Sequence, residues 1–83
     1  MKSLQVYSRR GCHLCEQLIE ELLPLVQGQL AVDVRDIDSR DDWRAAFDIR
    51  IPVVEFDGEF VCEHILDKDA LNRILVDYCE RDI

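Results

Sequence analysis

Eighty-three residues, 48% of them hydrophobic and 34% charged, describe an ordinary globular chain, and a single domain over residues 1–83 is expected. Ten basic residues against eighteen acidic ones give a net charge of −8, which disfavours nucleic acid and anionic lipid surfaces, where affinity comes from Lys and Arg. No run approaches the ~20 apolar residues of a membrane span and the first residues lack the apolar stretch of a signal peptide, so the expected compartment is the cytoplasm, where thiols are kept reduced.

In chain order, Leu4 to Ser8 is apolar and β-prone and reads as a first strand, followed by the turn Ser8-Arg9-Arg10-Gly11. A helical pattern begins at Cys12. Leu14, Leu18, Leu22 and Leu25, with Ile19 and Val26, form a core-facing stripe, and Glu16, Gln17, Glu20 and Glu21 take the other face. Pro24 is expected to kink or end this helix, with Gly28 as terminator. Leu30 to Ile37 broadly alternates apolar and charged residues, a second strand. Ser39 is a fair N-cap for a short helix with Asp41 and Asp42 in its first turn, and Trp43 and Phe47 share one face at core spacing.

Ile51 to Phe56 reads as a third strand, and Asp57-Gly58 is a strong two-residue hairpin signal leading to a fourth, antiparallel strand from Glu59 to Glu63. Asp67 then caps a last helix with the stripe Leu71, Ile74, Leu75 and Tyr78. The order β-α-β-α-β-β-α defines an α/β fold: a four-stranded mixed sheet with helices on both faces.

The chemistry centres on Cys12-His13-Leu14-Cys15. Two thiols at this spacing share a helix face and can close a small disulfide ring, and a cysteine on the first helical turn sits in the positive end of the helix dipole, which favours thiolate. Cys12 is expected to be the more exposed sulfur, since Cys15 lies one turn deeper. His13, if protonated, would stabilise a neighbouring thiolate; otherwise it is an exposed residue at a helix start. Arg9 and Arg10 would lower the Cys12 pKa or dock an anionic substrate, or be solvated turn residues. Tyr7 borders the active cysteine or packs in the core.

Elsewhere, Arg50 is expected to form a structural ion pair with Asp48. Cys62 and His64 form a Cys-x-His pair that, joined to Cys12 and Cys15, would make a Cys₃His zinc set; the alternative is a small buried thiol beside a surface histidine. Cys79 reads as packing or an idle thiol.

Three stretches carry a resemblance to glutaredoxins of the thioredoxin superfamily. Tyr7-Ser8-Arg9-Arg10-Gly11-Cys12-His13-Leu14-Cys15 resembles the glutaredoxin segment Tyr-Thr-Lys-x-x-Cys-Pro-Tyr-Cys. Ile51-Pro52-Val53 resembles a step that is cis in that superfamily, and Phe56 to Val61 resembles the hairpin before the final helix. His13-Leu14 between the cysteines is similar to the glutaredoxin-like group of small bacterial proteins with a Cys-x-Leu-Cys site.

The resemblance implies a thioredoxin/glutaredoxin-like fold, Cys12 as the attacking thiolate and Cys15 as the resolving one. Arg9 falls where glutaredoxins often carry a Lys that pairs with a glutathione carboxylate, and the backbone of Ile51, ahead of Pro52, would hydrogen-bond an extended thiol peptide. Cys62-Glu63 replaces the family's Gly-Gly, and the Glu63 charge would repel anionic glutathione. The expected function is a monomeric thiol–disulfide oxidoreductase acting on disulfide-bearing protein or glutathione, without prosthetic group or metal and re-reduced by glutathione or a reductase. The alternatives are a zinc or iron–sulfur binding module, or a non-catalytic adaptor with a vestigial Cys-x-x-Cys.

Overall fold

The computed structural model describes residues 3–81, with side chains to residue 78. The strand β1 (Ser3–Ser8) lies inside the sheet, whose order is β2-β1-β3-β4 with β2 Ala31–Asp36, β3 Val53–Phe56 and β4 Glu59–Glu63. Side chains of a strand alternate between faces, so β1 feeds two cores: Leu4 and Val6 enter one and Tyr7 the other. β1 and β2 run parallel, from Ser3 beside Ala31 to Ser8 beside Asp36, while β3 is antiparallel to both β1 and β4. This is the expected mixed sheet.

The β3–β4 turn is Asp57-Gly58, both left-handed at φ 53 and 86, as a type I′ hairpin turn requires. Between the pairs Val54–Cys62 and Glu55–Phe60 the register shifts, which leaves Val61 as the extra residue of a bulge.

Helices cover both faces. The larger core joins Leu18, Leu22 and Val26 of α1 (His13–Val26) and Leu71 of α3 (Lys68–Arg81) to Leu4, Val6, Val54 and Cys62 of the sheet. On the other face, Trp43 and Phe47 of α2 (Asp41–Phe47) pack against Tyr7, Ile37 and Val53. Asp67 caps α3 as expected, its Oδ1 accepting from the Ala70 N–H at 3.0 Å. No helix among the described residues is long and apolar enough to cross a membrane.

Several local expectations are corrected. The buried stripe of α1 is Cys15, Leu18, Leu22 and Val26; Leu14 and Leu25, assigned to the core by spacing, are 49% and 40% exposed. Pro24 does not end α1 but lies inside its last turn, ahead of Val26. The carbonyl it cannot satisfy belongs to Glu20, and both residues are exposed, so the missing bond falls on the solvent side of the helix. The helix stops where expected, with Gly28 left-handed at φ 80 and the Val26 carbonyl accepting from Gln29 and Leu30.

Ser39 does not cap α2. The backbone turns through a 3₁₀ segment, Ile37–Ser39, in which the Asp36 carboxylate accepts from the Asp38 N–H at 2.9 Å and the Ser39 hydroxyl donates back to the Asp36 carbonyl at 2.6 Å. Arg40 is left as an N-cap with no side-chain cap bond. Two strands are also shorter than read: Leu30 and Ile37 flank β2, and Ile51-Pro52 precedes β3.

Candidate active site

The register of the sheet gathers the site at one end. Tyr7 pairs with Val53, so the next step sets Ser8 beside Pro52, and Val53 pairs in turn with Glu63. Beyond that pair the His64 N–H donates to the Pro52 carbonyl at 2.8 Å. The exit from β1, the Ile51-Pro52 peptide (which is cis) and the segment from His64 therefore stand together.

From Ser8 the chain turns through Gly11, left-handed at φ 76. The Cys12 N–H donates to the Arg9 carbonyl at 3.2 Å, and α1 begins. Cys12 is the N-cap rather than the first helical residue. Its Sγ accepts the Cys15 N–H at 3.2 Å, the bond a Ser or Asp oxygen makes at other caps. That position sets the sulfur against the free N–H groups and positive end of α1, which stabilise a thiolate in the reduced form. Cys12 and Cys15 are joined as a disulfide across a Cα–Cα distance of 5.2 Å. Cys12 is half-buried and Cys15 is only 2% exposed, so Cys12 is the sulfur that an incoming group meets.

Arg9 forks onto Asp38, its Nε and Nη2 donating at 3.0 and 3.1 Å, and Nη2 also donates to Asp48 at 2.8 Å. The bonds to Asp38 and then to Asp48 push its pKa further up. Its charge is thus held by two carboxylates, and any contact with a thiolate or an anionic substrate competes with both. Arg10 is exposed in the turn. His13 is in solvent, its Nδ1 3.8 Å from a Glu16 carboxylate oxygen.

Asp48 being taken by Arg9, the expected Arg50–Asp48 pair does not form. Arg50 donates instead from Nε to Glu63 at 3.2 Å and lies over the rings of Phe47 and Phe60. The reason is topological: Arg50 leads into β3, which is paired with β4. The Glu63 charge that was expected to repel an anion is therefore met by a cation. Ile51 is partly committed as well, because its N–H donates to the Phe47 carbonyl at 3.2 Å.

Cys62 and His64 diverge. Cys62, 6% exposed, faces the α1/α3 core, and burial pushes its thiol pKa up. His64, left-handed at φ 67, is exposed beside Glu63. Among the described residues no three His, Cys, Asp or Glu side chains are grouped to hold a metal ion. Tyr7 packs in the core: it stacks on Phe47, meets Trp43 edge-on, and accepts a hydrogen bond from Arg35 at its hydroxyl. Burial raises its pKa, opposed by that Arg35 bond. The expectation for Cys79 concerns a side chain outside the described residues.

Sequence reasoning missed two features. One is the Arg9 clamp, whose partners are 29 and 39 residues away and leave no local signal. The other is a shallow groove of about 180 Å³ beside the cysteines, lined by Leu14, Gln17, Leu18, Glu21 and His64 to Leu66. Leu14 was hidden there by its helical spacing from Leu18.

The comparisons with known proteins agree with this architecture. The profile of a family described as a glutaredoxin-like domain (DUF836) matches residues 3–76. Among solved structures, the chain is similar to protein Ne2328 from Nitrosomonas europaea, with a TM-score of 0.79 and 30% identity over 88% of this chain and 89% of that one. It is also similar to protein XcR50 from X. campestris, with a TM-score of 0.72 and 28% identity over 90% and 97%. A mutant thioredoxin from Halobacterium salinarum aligns with a TM-score of 0.60 and 29% identity over 93% and 74%. No match was found among curated proteins.

Proposed function

The chain belongs to the glutaredoxin-like domain family, and from that premise we propose that it is a dithiol–disulfide oxidoreductase whose reacting groups are Cys12 and Cys15. The observation that carries the reading is the position of Cys12: a half-buried N-cap whose sulfur accepts a helix N–H, three residues from a buried partner thiol within disulfide reach.

In the reduced protein the Cys12 thiolate attacks one sulfur of a substrate disulfide. That S–S bond breaks, the departing thiolate takes a proton, and Cys12 is left in a mixed disulfide. Cys15 loses its proton and attacks the Cys12 sulfur, which expels the second substrate thiolate and closes Cys12–Cys15. The substrate gains two electrons and two protons: the dithiol supplies both electrons, Cys15 one proton, and solvent the proton that Cys12 had released on becoming a thiolate. A thiol reductant, glutathione or a dithiol reductase, returns them in the cytoplasm. The chemistry needs no prosthetic group.

The burial of Cys15 supports this division of labour, since it is shielded from external disulfides but adjacent to the sulfur it must attack. Incubating each variant with a protein disulfide and following products by mass spectrometry tests the assignment. Cys12→Ser should leave the disulfide unreduced, and Cys15→Ser should accumulate a covalent adduct on Cys12. Undiminished reduction by Cys12→Ser would overturn it.

A further inference from the structure

We propose that the groove beside the dithiol selects an extended segment of a disulfide-bearing protein, one with an aliphatic residue next to its cysteine and no acidic flank, over glutathione disulfide. This rests on the dithiol reading above and names its substrate class. Leu14 lies between the two cysteines and borders the groove, and Ile65 borders it from beyond the His64–Pro52 hydrogen bond. They are 49% and 74% exposed. Exposed aliphatic residues are common singly; here two of them line one depression, and one of the two, Leu14, is the residue next to Cys15 in the chain. Its volume of about 180 Å³ falls below the ~300–1,000 Å³ of sites that enclose a small molecule, and suits a side chain on a peptide held elsewhere by the disulfide itself.

Charge narrows the occupant further. The lining includes the carboxylate of Glu21 and no Lys or Arg. Arg9 is clamped by Asp38 and Asp48, and Arg50 by Glu63. Each half of glutathione disulfide carries two carboxylates against one ammonium group, so the molecule brings a net negative charge to a groove with a carboxylate of its own, on a chain of net charge −8. A peptide with an aliphatic side chain and a neutral or basic flank fits both features.

The test uses the reduced full-length protein in single turnover, so that no recycling partner enters. Its second-order rate constants are compared for disulfides of short Cys peptides flanked by Leu, Ser, Lys-Leu or Glu, and for glutathione disulfide. Leu-flanked disulfides should react roughly tenfold faster than Ser-flanked ones, Lys-Leu fastest, and Glu-flanked and glutathione disulfides slowest. Leu14→Ser combined with Ile65→Ser should bring the Leu-to-Ser ratio towards one, and Glu21→Lys should shrink the handicap of the acidic disulfides. Ratios within one protein cancel any change in the reactivity of Cys12. Equal rates across the peptides, or ratios unmoved by these substitutions, would overturn the inference and leave the dithiol reading standing. Failure to reduce any disulfide would overturn both.

Discussion

Arg9 donates to Asp48 at 2.8 Å, and this pair ties the loop that carries Cys12 to the segment that leads into Ile51-Pro52. The same guanidinium forks onto Asp38 in the 3₁₀ turn after β2, so one side chain fastens three connections at the end of the sheet where the dithiol sits. We propose that Arg9 acts as a positioning residue.

Replacing it tests that assignment. Arg9→Ala should slow reduction of a protein disulfide by roughly two- to tenfold through misplacement of Cys12. Arg9→Lys should recover part of the loss, because an ammonium cannot fork onto two carboxylates as a guanidinium does. Hydrogen exchange supplies the second readout: the Cys12 and Ile51 amides, bonded to Arg9 and Phe47 carbonyls, should exchange faster in Arg9→Ala. If Arg9 instead serves to hold a substrate carboxylate, exchange will not change and the KM for glutathione disulfide alone will rise.

The three described thiols should separate by reactivity. After reduction, iodoacetamide at neutral pH should modify Cys12 at least about tenfold faster than Cys15 or Cys62, since only Cys12 combines accessibility with a helix N-terminus. The rate at Cys12 should rise with pH through a midpoint below the ~8.5 of a free thiol. Peptide mapping by mass spectrometry checks the order, and early labelling of Cys62 would contradict its burial.

Alkaline stability follows from the same burial. Cys62 has its pKa raised by desolvation above that of a free thiol, and Tyr7 above that of a free phenol for the same leading reason. In each case the folded protein keeps a proton that the unfolded chain gives up. Stability is therefore full below the unfolded value and falls as pH rises through the raised folded value. With the Cys12–Cys15 disulfide intact, the urea midpoint should be flat from pH 7 to about 9 and decline beyond. Cys62→Ala will lower the midpoint at every pH by opening a cavity, so slopes are compared rather than levels. Its slope between about pH 9 and 10 should be shallower than that of the parent.

Much of this was legible in the chain. The order of elements, the Asp57-Gly58 hairpin and the Asp67 cap are local signals, and each forms as read. So is the Cys-x-x-Cys at a helix start, displaced by a single residue because Cys12 takes the cap. What was not legible depends on distant partners. Arg50 has Asp48 close by in sequence while Arg9 has no acid nearer than Glu16, and only the packing of β3 against β1 and β4 decides that Asp48 goes to Arg9 and Glu63 to Arg50. Ser39 failed as a cap because the Asp36 carboxylate and carbonyl organise a 3₁₀ turn ahead of it.

The border of the α1 stripe makes a contrast that spacing alone could not resolve. Leu22 and Leu25 are both apolar, both on the same helix, and both compatible with a helical repeat. At 100° per residue, however, the set Cys15, Leu18, Leu22 and Val26 is centred on the sheet, and Leu25 falls at its edge. Leu22 is 0% exposed and Leu25 40%. Leu22→Ala should therefore cost roughly 2–5 kcal/mol, lost transfer energy plus a cavity that the surrounding Leu4, Val6 and Val54 only partly fill. Against a total of about 5–15 kcal/mol for a domain, that leaves a marginal protein. Leu25→Ala should stay within about 1 kcal/mol, with the high helix propensity of Ala offsetting part of the lost contact. Urea unfolding of the two variants, read at equal m-value, decides it: similar midpoints would mean that Leu25 is core and the stripe is wider than the structure places it.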